Sequence, residues 1–114
     1  MKIFFSLLII FFAGISYGSD WKSLDGIYAV TAESYLDPPE SEAKDSHYRL
    51  QIKGESAKDL YNAMHVDETL GDCTGGMLKT INEMRCIHHT DSNTYDCDFS
   101  INIQHQTIHY GVAC

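Results

Sequence analysis

The chain has 114 residues, 16 acidic against 8 basic, for a formal charge of −8. Such a surface repels phosphate backbones, which argues against nucleic-acid binding; it either speeds encounter with a basic protein or simply keeps the protein soluble. Four cysteines in so short a chain point to a small domain stapled by disulfides.

The N-terminus reads as an export signal. Lys2 gives a positive start, the stretch from Ile3 to Ala13 is almost unbroken Ile, Leu and Phe, and Ser16-Tyr17-Gly18 puts small residues where a signal peptidase reads. The expected cut precedes Ser19, making residues 1–18 a cleavable signal and residues 19–114 an exported domain, periplasmic or secreted. The apolar run is well short of the ~20 residues that span a bilayer. No cysteine stands at the cut to carry a lipid, so no membrane anchor is expected after cleavage. Every acidic residue lies beyond the cut, and losing Lys2 takes the charge to −9. A domain of this size buries roughly 60–70% of its unfolded surface, so covalent staples usefully supplement its core.

Asp25-Gly26 is a turn signal, and the β-formers from Ile27 to Thr31 follow it as a first strand. The segment from Asp37 to Ser46 holds both prolines and a cluster of acids, and reads as a solvated loop. His47 to Lys53 alternates, with Tyr48, Leu50 and Ile52 on one face and Arg49, Gln51 and Lys53 on the other, as a hairpin partner of the first strand. Gly54 breaks it. Ala57, Leu60, Tyr61 and Met64 then fall at helical spacing, which predicts a helix from about Glu55 to His65 opened by a Ser56/Asp59 capping box.

The stretch from Asp67 to Gly76 reads as a loop, and its glycines lack the lysine of a phosphate-binding motif. Three strands are expected after it. The first covers about Leu78 to His88, with Met84 and Cys86 inward. The second sets Tyr95, Cys97, Phe99, Ile101 and Ile103 against a solvated face of Asp96, Asp98, Ser100 and Asn102. The third carries Ile108, Tyr110, Val112 and Cys114 on its apolar side. The predicted fold is a small α+β domain, a mostly antiparallel sheet in the order β-β-α-β-β-β with one helix packed on it.

An even cysteine set in an exported chain implies two disulfides. A hairpin turning at Thr90–Asn93 with its apolar sides together sets Cys86 opposite Cys97, and Arg85 opposite Asp98. The preferred pairing is therefore Cys86–Cys97 with Cys73–Cys114, worth about 3 and 4 kcal/mol by loop closure. The alternative, Cys73–Cys86 with Cys97–Cys114, follows if the second hairpin, turning near Gln104 to Thr107, sets Cys114 beside Cys97 instead.

Six histidines invite a metal reading, with His88, His89 and His109 as its weak candidates. Neighbouring strand residues face opposite ways, however, and His89 and His109 are expected at different heights, so the three do not converge. Cys86 beside His88 and His89 would suggest a thiol–imidazole pair only if that thiol were reduced. No G-x-S-x-G context exists, and so small a domain offers paired carboxylates little room for a cleft. No catalytic residue and no cofactor are assigned, and the expectation is not an enzyme. Trp21 and Tyr35 are weak interface candidates as aromatics among acids, with a place in the core the equal alternative for Trp21. The functional expectation is an exported binding module, of inhibitor or immunity type, acting on a basic protein partner. A histidine-based metal-binding envelope protein and, less favoured, a small secreted hydrolase are the alternatives.

Overall fold

Period-two alternation builds most of this molecule. The computed structural model describes residues 20–33, 39–71 and 75–111. Its elements are β1 (Gly26–Thr31), β2 (His47–Lys53), α1 (Gly54–Ala63), β3 (Thr69–Leu70), β4 (Met77–Ile81), β5 (Met84–His89), β6 (Thr94–Asn102) and β7 (Thr107–His109). The expected signal segment, Tyr35, Cys73 and Cys114 lie outside the described residues. Among the described residues the strands form one antiparallel sheet ordered β1-β2-β6-β5-β4-β3, and β7 pairs with β6 beyond the end of β5. No described helix is long and apolar enough to cross a membrane.

The central strand, β6, takes β2 along one edge and β5 then β7 along the other. Cys86 pairs directly with Cys97 and the two are bonded; Arg85 pairs with Asp98, as the hairpin register requires. The Arg85 guanidinium reaches both carboxylate oxygens of Asp98, at 3.0 and 3.2 Å from Nη2. The bond also removes the alternative connectivity, which needs both sulfurs elsewhere.

The helix packs on β6, β5 and β2 through its apolar stripe, and Ala57, Tyr61 and Met64 are buried with Ile52, Cys86 and Cys97. Leu50, Leu60, Met84, Tyr95 and Phe99 close around them. No basic residue sits in the last turn of α1; instead Lys79 of β4 donates to the Tyr61 carbonyl at 3.1 Å and lies over its ring. A lysine from the sheet thus satisfies a C-terminal helix carbonyl. Burial pushes the Tyr61 hydroxyl above its ordinary pKa, and the Glu68 carboxylate pushes it the same way through its charge rather than through a well-formed hydrogen bond.

Four expectations are corrected. The stretch from Leu78 to His88 is two strands, β4 and β5, turned at Asn82-Glu83, where Asn82 takes φ +52°. Asparagine tolerates that left-handed geometry, so no glycine or proline marks the turn. The expected loop before it contains β3, so the order is β-β-α-β-β-β-β-β. The helix begins at Gly54, directly after β2, and ends at Ala63. Ser56 is therefore already inside the first turn; its hydroxyl accepts the Asp25 amide at 2.8 Å, and no side chain caps the helix. Lastly, the helix-free face is not uniformly solvated. Tyr110 and Gly111 cross it, Ser100 is fully buried beneath them and donates to the Tyr110 carbonyl, and Arg49 holds the Tyr110 and Gly111 carbonyls at 3.2 and 2.7 Å.

Candidate interaction surface

A helix of ten residues is about 15 Å long. The nine-residue strand beneath it is about 30 Å long, so α1 covers only part of its face. It lies over the end bearing Ile52, Cys86, Tyr95 and Cys97. At the other end the register lines up Val30, Tyr48, Ile101 and Ile108 across β1, β2, β6 and β7, with Tyr28, Leu50 and Phe99 in the adjacent row. All share the helix-bearing face, and no described element covers the outer row. Tyr28 is 67% exposed, Val30 44% and Ile108 45%. Tyr28 and Tyr48 stack on each other at 5.2 Å, their planes 7° from parallel, which fixes the two rings against one another. The exposed apolar area is on the order of 400 Å², within the ~300–600 Å² of the largest patch on a typical monomer, which is often functional. Glu33 and Asp45 are exposed beside the corresponding ends of β1 and β2.

No family model, curated protein or solved structure matches the chain.

The opposite face is polar. His47 of β2 is 5% exposed, with its ring edge-on to His109 of β7 at 5.5 Å. His109 Nδ1 lies 3.5 Å from Glu83, which the β4–β5 turn delivers to the end of β7. Burial, reinforced by the charges of Arg49 and His109, pulls the pKa of His47 below the ordinary histidine value. His47 Nδ1 meets the Ser46 hydroxyl at 2.8 Å, but that hydroxyl also reaches the Thr31 carbonyl at 3.2 Å and is tied to the main chain. Farther along, His89 pairs with Asp96 at 2.8 Å.

The three weak metal candidates are dispersed. His88 lies on the helix-bearing face, stacked on Tyr95 at 4.2 Å and bonded to Asn93; His89 faces the other way. His109 pairs with Ser100 and His89 with Thr94, so they sit at opposite ends of β6. Among the described residues no group of three or more His, Cys, Asp or Glu is placed to hold a metal ion. Trp21 is 97% exposed, away from the sheet patch, in the segment that Lys22 ties to Asp59 and Glu55 on α1. Two open grooves flank the start of the helix. One, about 630 Å³, sets Lys22 against Glu55 and Asp59; the other, about 610 Å³, sets Lys53 and Lys58 against Asp96. Both set opposite charges side by side within their own walls. The apolar sheet row and the His47–His109 neighbours went unassigned in the sequence because both require β2 to pair with β6, far away along the chain.

Proposed function

We propose that this chain is an exported, non-enzymatic binding module that engages a basic protein partner through the bare half of its helix-bearing sheet face. The supporting observation is the row of exposed Val30, Ile101 and Ile108 with half-buried Tyr48 and the Tyr28 stacked on it, in a chain of formal charge −8. Apolar and aromatic side chains form the centre of the contact, and the acidic surroundings accelerate encounter and select for positive charge. Export is supported by the N-terminal pattern and by a cross-strand disulfide, which an oxidising compartment maintains. An inhibitor or immunity role fits a rigid surface of this kind.

The test is affinity capture from envelope extract with the wild-type chain and with Ile101→Thr and Ile108→Lys. Both positions lie away from the helix-covered core. The reading requires a basic protein that is retained by wild type, released by salt, and bound at least about tenfold more weakly by Ile108→Lys. Retention of the same protein by wild type and variants alike refutes the patch; failure to retain any basic protein refutes the partner class.

A further inference from the structure

The row of Val30, Tyr48, Ile101 and Ile108 comes from strands that are held unequally. β2 lies between two neighbours, paired with β1 from Gly26↔Ile52 to Thr31↔His47 and with β6 from His47↔Asn102 to Lys53↔Asp96. β7 has three residues and, among the described strands, pairs with β6 alone. The Ile103 amide donates to the Ser46 carbonyl at 2.9 Å, toward β2, so odd residues along β6 bond to β2 and even ones to β7. Ser100–His109 and Asn102–Thr107 are therefore the hydrogen-bonded pairs, and the Ile108 amide points away from β6. Two ladder pairs hold the strand that presents Ile108.

On the face opposite Ile108, β7 is set against a histidine poorly placed to carry charge. The His47 ring is buried and meets the His109 ring edge-on at 5.5 Å. His109 is half-buried, with the Glu83 carboxylate 3.5 Å from its Nδ1 and the Thr107 hydroxyl 2.9 Å from its Nε2. A proton on His109 thus finds an anion beside it. A second proton, on His47, meets that imidazolium and the charge of Arg49 on its own strand. Glu33, beyond β1, acts on His47 in the opposite sense and more weakly than either. From β6 the same rows receive the uncharged Ser100 and Asn102; Asp98, one row on, is paired with Arg85, and His105 in the β6–β7 turn is exposed.

We propose that β7 is an acid-released latch: when His47 and His109 are both protonated, the strand leaves β6 and takes Ile108 out of the apolar row. Like charges repel most strongly where water is scarce, and parting the rings relieves them at the loss of two ladder pairs. β2 yields less readily, since it bonds on both sides. Beyond the strand, Arg49 holds the Tyr110 and Gly111 carbonyls and Ser100 holds the first of them, so the opening is confined to β7 and the turn before it. Histidine is the side chain whose ordinary pKa places such an event between about pH 5 and 8. The contact face is then complete at neutral pH and one strand short in acid. That consequence rests on reading the row as a partner surface; the release itself is a property of the free chain.

Amide exchange followed by NMR on the protein as purified tests the latch without any partner. Corrected for intrinsic exchange, protection at Thr107 and His109 should fall roughly tenfold between about pH 6 and about pH 5, the slope of one additional proton bound in the open form. The amides of Tyr48, Leu50 and Ile52, which face β6, should keep theirs. His47→Gln and His109→Gln should each abolish the fall, and the second, at a half-buried position, decides the matter if the first unfolds. Unchanged protection in wild type over this range overturns the proposal. Equal loss at the β2 amides also overturns it, as global acid unfolding, and so does a fall that persists in the glutamine variants. A partner that binds through Ile108 while β7 stays protected in acid removes the latch and leaves the contact face standing; a latch that opens in a chain retaining no basic protein removes only the contact reading.

Discussion

Replacing the cross-strand disulfide separates what the bond contributes as a constraint from what its sulfurs contribute as packing. Cys86 and Cys97 are 11 residues apart. Closing a loop of that length removes about 3 kcal/mol of conformational entropy from the unfolded chain. Both residues are also core, at 0% and 1% exposed, between Ala57 and Tyr61 of α1 and Ile52 of β2. Truncating each to alanine deletes a buried sulfur at about 1 kcal/mol apiece on the scale of a buried methylene. Cys86→Ala with Cys97→Ala should therefore cost about 5 kcal/mol, a large share of the ~5–15 kcal/mol typical of whole domains. Cys86→Val with Cys97→Val refills the space with a favourable cross-strand pair, and should cost only the ~3 kcal/mol of the constraint. In urea, with a slope of about 1–1.5 kcal/mol per molar for a domain this small, the valine pair should lower the midpoint by roughly 2–3 M and the alanine pair by more. If the valine pair unfolds at the wild-type midpoint, the constraint contributes nothing. The Thr90–Asn93 turn would then already hold the hairpin in the unfolded ensemble, and the loop-closure reasoning fails.

The buried His47 should make the fold acid-sensitive. Its folded-state pKa is lowered, chiefly by burial, so its neutral form is stabilised; that contribution is complete above the unfolded value near ~6.5 and is lost as pH falls through the folded value. The difference in melting temperature between wild type and His47→Gln should be constant above pH ~6.5 and shift against wild type as pH falls below it; a difference that stays constant throughout would remove His47 as the source. At Gly111 an added Cβ would stand 2.5 Å from the Phe99 amide nitrogen and 2.9 Å from the Asp98 carbonyl carbon, which are main-chain atoms that cannot yield cheaply. Gly111→Ala should lift the crossing segment off Ser100 and cost ~1–3 kcal/mol by urea denaturation, and an unchanged midpoint would contradict that close approach. Intact mass of the exported protein should begin at Ser19, with no thiol titratable under denaturing conditions in wild type or in the Cys86→Ala, Cys97→Ala variant. A retained Met1 refutes cleavage, and two free thiols in the variant refute Cys73–Cys114.

The parts of the fold legible in the sequence are those where one strand's alternation fixes its neighbour. Tyr95, Cys97 and Phe99 must share a face with Met84 and Cys86, and a four-residue turn then leaves one register, which delivers both Cys86–Cys97 and Arg85–Asp98. The β4–β5 turn was hidden because parity switches across it. Odd residues of β4 and even residues of β5 face the helix, with Ile81 paired to Met84, and Asn82-Glu83 carries no strong turn signature. The capping box failed for a related reason: with the strand running straight into the helix at Gly54, φ +59°, Ser56 is past the cap position. The contact face required two facts that local pattern does not supply, the pairing of β2 with β6 and the end of the helix at Ala63. The burial of Ser100 depended on a segment crossing the sheet from beyond β7, for which Gly111 is the only local trace.

The division of the sheet has a consequence for separating binding from folding. The helix, the disulfide and the Lys79 contact to the Tyr61 carbonyl all act on the half that bears Ile52, Cys86 and Cys97. The half that bears Val30, Ile101 and Ile108 is held mainly by main-chain ladders and by Arg49 on the opposite face, which reaches Thr31 and the Gly111 carbonyl. Ladder bonds do not depend on side-chain identity, so replacing half-exposed isoleucines there removes little buried apolar area. Replacing Tyr61 or Met64 removes a fully packed side chain at ~2–5 kcal/mol. The uncovered half is thus apolar where folding stability does not require it, and this asymmetry supports the proposal that it meets a partner.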